Sequence, residues 1–135
     1  MPVTGIDHVQ VAAPRTADAE ELARAFYGGL LGLREIEKPD LLKSKGGVWF
    51  STGTGELHVG LEDTFTPARK AHPGFLVSDL AALRAELEAL GVPITEAEPL
   101  EGVLRFHVHD PFGNRIELLE RAADGQQSSP GQGYE

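Results

Sequence analysis

Arg105 to Glu120 reads R-F-H-V-H-D-P-F-G-N-R-I-E-L-L-E, two alternating runs around the cluster Asp110-Pro111-Phe112-Gly113-Asn114. Proline fixes φ, and glycine and asparagine tolerate positive φ, so the stretch predicts a β-hairpin. Alternation then sorts the side chains. In the first strand Arg105, His107 and His109 lie opposite Phe106 and Val108. In the second, Glu117 shares a face with Leu119, while Ile116 and Leu118 point the other way. A carboxylate in mid-strand between apolar neighbours is costly to bury without a partner, and a metal ion or a cation is the usual one. His109, next to the turn, is expected to tie it down.

Upstream of the hairpin, His72 enters a strand through Gly74-Phe75-Leu76-Val77. Ser78 or Asp79 then caps a helix with Leu80, Leu83, Leu87 and Leu90 on one stripe, Gly91 ends it, and Val92 to Thr95 is a short strand. The same order occurs earlier in the chain. Gly5 to Ala13 alternates as a strand with His8 and Gln10 on one face, and a helix follows with Ala19, Leu22, Phe26 and Leu30 in phase. Leu33 to Glu37 is a short strand, Lys38 to Gly47 a polar loop, and Val48 to Thr52 with Glu56 to Glu62 a hairpin around Gly53-Thr54-Gly55. Leu31-Gly32-Leu33 matches Leu90-Gly91-Val92 at an offset of 59, His58 matches Glu117 at the same offset, and His8 matches His72 at 64. The chain is thus two β-α-β-β-β halves, about 4–63 and 70–121, in one α+β domain spanning 4–121. Residues 122–135 lack periodicity and apolar content and are expected to be a disordered tail.

Composition narrows the partners. With 41% hydrophobic and 24% charged residues and no apolar run near the roughly 18 residues of a membrane span, the chain reads as a globular, cytoplasmic protein. It has no cysteine, so a metal would be held by His, Asp or Glu. A net charge of -9 disfavours nucleic acid and anionic lipid, which leaves a small molecule as the partner.

Five segments in order resemble the vicinal oxygen chelate superfamily of glyoxalases, bleomycin-resistance proteins and extradiol dioxygenases: G-I-D-H-V, F-Y-G-G-L-L-G-L, A-H-P-G-F-L-V, L-E-A-L-G-V and D-P-F-G-N-R-I-E-L. The resemblance implies paired βαβββ modules whose mixed sheets curl into a metal-binding cleft, and the open strand edges of such sheets are expected to be covered in a homodimer. It implies a divalent metal held by one side chain from the first and one from the last strand of each module, positions occupied by His8, His58, His72 and Glu117. Three imidazoles and a carboxylate suit Fe, Mn, Co, Ni or Zn. Arg105 is placed to hold a substrate carboxylate or enolate, and His107 to act as a general acid or base beside Glu117. Each residue also has a plain reading: Glu117 as the ion-pair partner of Arg105 or Arg115, and His58 as an exposed strand residue beside Glu56.

The activity implied is that of a lyase or dioxygenase acting on a small substrate that chelates the metal through vicinal oxygens. The alternative is a metal-free protein of the bleomycin-resistance kind that binds a small ligand. A third is a structural subunit that uses only the fold.

Overall fold

Two four-stranded sheets organise the computed structural model, which describes residues 1–122. The first has strand order β1-β4-β3-β2 and the second β5-β8-β7-β6, each a mixed sheet built from one βαβββ repeat and neither closed into a barrel. The chain resolves into two compact units. Met1–His72 with His109–Arg115 forms one, and Pro73–Val108 with the described residues from Ile116 on forms the other. Among the described residues no helix is long and apolar enough to cross a membrane. The expected tail lies, from residue 123 on, outside the described residues.

In the first unit β1 (His8–Pro14) runs parallel to β4 (Glu56–Glu62) over seven residue pairs, from His8 beside Glu56 to Pro14 beside Glu62. β3 (Val48–Ser51) joins β4 antiparallel, and β2 (Arg34–Ile36) joins β3. Alternation gives the sheet two chemically different faces. Val11, Ala13, Val48, Phe50, Leu57 and Val59 are buried with Ala19, Ala23, Phe26 and Tyr27 of the helical segment, each large apolar side chain contributing roughly 2 kcal/mol. The other face carries His8, Gln10, His58, Gly60, Trp49 and Ser51.

The helix expected after β1 forms in two parts. α1 (Ala19–Ala23) is α-helical, and Arg24–Leu30 widens into a π-helical segment in which the Leu31 N–H reaches the Phe26 carbonyl at 3.0 Å. Gly28-Gly29 weakens the ordinary helical ladder there. Its buried stripe is Ala19, Ala23, Phe26 and Tyr27, whereas Leu22, expected inside, is 38% exposed. The expected loop Lys38 to Gly47 contains the short helix α2 (Asp40–Lys43). At its end the backbone meets β4 so closely that a Cβ on Gly47, whose φ is +94°, would lie 2.3 Å from the Val59 carbonyl oxygen. Only glycine fits there.

The segment His109–Arg115 is locked into the first unit by side chains. Asp110, 4% exposed, accepts hydrogen bonds from the Tyr27 hydroxyl (2.7 Å) and from the Phe112 and Asn114 N–H groups and the Asn114 amide (each 2.9 Å). Asn114 also donates to the Ala12 carbonyl and accepts from the Ala68 N–H. Gly113 alone in this turn has positive φ; Asn114 is there for its side-chain bonds. The tie expected of His109 is made by Asp110 and Asn114, because His109 points to the exposed side.

In the second unit β5 (Gly74–Leu76) pairs parallel with β8 (Arg115–Arg121) over three residues, and β7 (Val103–His109) lies between β8 and β6 (Thr95–Glu96). The short strand expected at Val92–Thr95 therefore begins only at Thr95. α3 (Leu80–Ala89) is capped by Asp79, whose carboxylate accepts the Ala82 N–H at 3.1 Å, and it turns out at Gly91. Leu80 and Leu87 are buried with Phe106, Val108, Ile116 and Leu118, but Leu90, the C-cap, is 63% exposed.

Candidate metal centre

Strand parity decides what surrounds Glu117. Glu117 on β8 and Arg105 and His107 on β7 occupy the face opposite Phe106, Val108, Ile116 and Leu118, as the alternation predicts. Glu117 and Arg105 have side chains only 12% and 17% exposed, and one guanidinium nitrogen of Arg105 lies 3.4 Å from both Glu117 oxygens. Arg105 is steadied by donating Nε to the Glu98 carbonyl at 3.0 Å. Nε2 of His107 lies 3.4 Å from Glu117 Oε1.

His72 stands two residues before β5, its ring fixed by a 2.7 Å contact between Nδ1 and the Lys70 carbonyl. Ligand atoms of His72, His107 and Glu117 all lie within 4.8 Å of one another. Ligands about 2.1 Å from a shared ion stand at most about 4.2 Å apart, so small rotations would close this cluster on one. Two imidazoles and a carboxylate, in a chain without thiolates, are a donor set for a borderline divalent ion. The fit is good on chemistry and on spacing.

The repeat mates on the first unit have a different setting. His58 is 4% exposed and lies between two rings, His8 at 4.3 Å between centroids and Trp49 at 3.6 Å and nearly parallel. Its Nε2 meets Glu56 Oε1 at 2.8 Å, which leaves Nδ1 for any other partner. His8 is half-exposed, with Nδ1 2.9 Å from Asp7. Of the residues singled out in the sequence, the structure therefore brings His72, His107, Arg105 and Glu117 together and stacks His8 on His58. Glu56 was not foreseen as a partner of His58, although it sits two residues away on the same strand face and is visible as such in E-L-H.

Known proteins supply an independent comparison. The profile of the Glyoxalase/Bleomycin resistance protein/Dioxygenase superfamily matches residues 5–118. A crystal structure described as a glyoxalase family protein from Bacillus anthracis is 49% identical, with 88% of this chain and 96% of that one covered and a TM-score of 0.83. The lactoylglutathione lyase of Agrobacterium tumefaciens (21% identity, 89% and 96% covered, TM-score 0.69) has the same fold. So does the fosfomycin resistance protein FosX of Listeria monocytogenes (15%, 93% and 98%, 0.67). No curated protein matches the chain.

Proposed function

This chain belongs to the Glyoxalase/Bleomycin resistance protein/Dioxygenase superfamily, and from that premise we propose that it is a metal-dependent enzyme acting on a small substrate with two adjacent oxygens. The observation that carries the reading is that ligand atoms of His72 and Glu117 converge within 4.8 Å, with His107 in the same cluster as a ligand or as the group that moves a proton. His72 and Glu117 would hold the ion, with His8 and His58 as the further ligands that the family resemblance assigns. A bound divalent ion supplies Lewis-acid stabilisation of negative charge on a substrate oxygen.

The chain's own residues do the rest. Arg105, already held by the Glu98 carbonyl, presents a fixed guanidinium that orients an anionic substrate oxygen. His107, beside Glu117, moves a proton at Nε2, the nitrogen that faces the carboxylate. Burial of Glu117 and Arg105 keeps water from weakening these charges. The protein acts in the cytoplasm as a homodimer, and its reaction is a lyase or dioxygenase step.

A second reading follows from one contact: a nitrogen of Arg105 lies 3.4 Å from both oxygens of Glu117, a charge partner of the kind that a metal-free ligand-binding protein would use. Elemental analysis after reconstitution with Fe, Mn, Co, Ni and Zn in turn separates the two. About one ion per chain, lost in Glu117→Ala, is expected. No stoichiometric uptake of any of the five would leave the binding protein. Titration of His107→Ala and His58→Ala then assigns roles: a ligand's loss weakens metal affinity, whereas loss of an acid or base leaves affinity near normal and lowers turnover about a hundredfold or more.

A further inference from the structure

A second feature of the first unit lies beside His58. A pocket of about 570 Å³ opens between β1, β4, β3 and the α2 loop, and its lining includes Arg15, Lys38 and Lys45 but no carboxylate. In a chain with 21 acidic and 12 basic residues this is a local reversal of sign. Arg15 is largely committed: it pairs with Asp63 at 2.7 Å and donates to the Lys45 and Leu61 carbonyls. Lys38 spends one N–H on the Gly46 carbonyl and keeps two. Among the described residues neither Lys38 nor Lys45 has a carboxylate within ion-pair reach. The backbone of Lys45 is pinned at both ends, its N–H on the Leu42 carbonyl and its carbonyl on Arg15, while its side chain is exposed.

The other wall is apolar and flat. Trp49 covers His58 with one face and lines the pocket, with Leu42 and Leu61 nearby. Gln10 projects over Gly60, where an added Cβ would come within 2.9 Å of its amide nitrogen, so the missing side chain is what lets the Gln10 amide lie against the pocket. Register places Gln10, His58 and Trp49 in one row across three strands, on one sheet face.

We propose that this pocket binds the charged end of a small organic anion, a carboxylate or phosphate oxyanion between Lys38 and Lys45 with a flat apolar body against Trp49. The assignment rests on the proposed function only in making this anion part of the substrate of that enzyme; binding itself needs no metal.

Trp49 is the chain's single tryptophan, so its indole N–H gives one resonance in a nitrogen-15 spectrum of the full chain. Titration in EDTA with benzoate should shift that resonance saturably, benzyltrimethylammonium should not, and inorganic phosphate should displace benzoate. Lys45→Glu, at an exposed side chain, should weaken benzoate binding roughly tenfold, the order expected for reversing one exposed charge. Absence of a saturable shift, an equal response to the cation, no displacement by phosphate, or a Lys45→Glu variant that binds as well as the parent would each overturn the proposal. Because EDTA removes metal, failure of the metal-dependent reading would leave this result standing, and the reverse also holds.

Discussion

The two halves of the repeat use one backbone plan for opposite chemistry. His58 and Glu117 are mates at an offset of 59, each on the last strand of its βαβββ unit. His58 is clamped in a stack with His8 and Trp49, while Glu117 sits among Arg105, His107 and His72. The hairpin turns before them differ in the same way. The β3–β4 turn is held by exposed or half-buried hydroxyls of Ser51 and Thr52, the β7–β8 turn by the buried Asp110 and Asn114. A repeat fixes positions and parity; burial and neighbours decide what each position does.

The largest effect should come from Asp110→Ala. Four donors lose their acceptor at a site 4% exposed, and an unsatisfied buried donor costs about 1–3 kcal/mol. A loss of about 3 kcal/mol or more in urea denaturation is expected, with Asp110→Asn losing less because it keeps one acceptor oxygen. A change under about 1 kcal/mol would show that the turn stands without its carboxylate and would erase the contrast with the first hairpin.

Glu117→Ala ranks next. Metal uptake should vanish, and Arg105, 17% exposed, should be left without its carboxylate at a cost of about 1–3 kcal/mol. Isothermal titration with the preferred metal, beside a urea curve, reads both. Retained metal affinity would move the ligand set away from β8.

Much of this was legible in the sequence, for identifiable reasons. Long, strictly alternating strands such as β4 and β7 declare their faces, and Arg105, His107 and Glu117 fall together by parity alone. Asp79 and Gly91 bracket α3 by capping chemistry. α2 was hidden because four residues after Pro39 are too short for any period to show. After Pro14 the phase of the helix was open by one position, because Leu22 and Ala23 both continue a period from Ala19, and it is Ala23 that is buried with Phe26 and Tyr27. Contacts between residues far apart were hidden too. Nothing local links Tyr27 to Asp110, 83 positions away, or brings Arg15, Lys38 and Lys45 around one pocket.

Tyr27 gives a smaller, pH-dependent test of the Asp110 anchor. Burial first, and then the Asp110 charge and hydrogen bond, raise its pKa well above the ordinary tyrosine value. A raised folded-state pKa means that the stabilisation is fully present below the unfolded value near 10 and is lost as pH climbs above it. Tyr27→Phe should cost about 1 kcal/mol at neutral pH, for the lost hydrogen bond. It should also flatten the decline between about pH 10 and 11. An equally steep decline in Tyr27→Phe, followed by urea midpoints across that range, would place its source elsewhere.

The smallest effect is expected at the first unit's turn, from Thr52→Ala. Thr52 Oγ1 accepts the Gly55 N–H at 3.0 Å, but the Thr52 N–H still reaches the Gly55 carbonyl at 2.9 Å when the hydroxyl is gone, and Ser51 still accepts from the Gly53 N–H. The turn is open enough that water can replace the lost acceptor, so only the net worth of one hydrogen bond is at stake, about 0.5 kcal/mol. A urea comparison of Thr52→Ala with Asp110→Ala thus weighs the same kind of bond, a side-chain oxygen capping a hairpin N–H, in two degrees of burial. If the two losses came out equal, burial would not be what separates the hairpins, and the difference between His58 and Glu117 would need another cause than their surroundings.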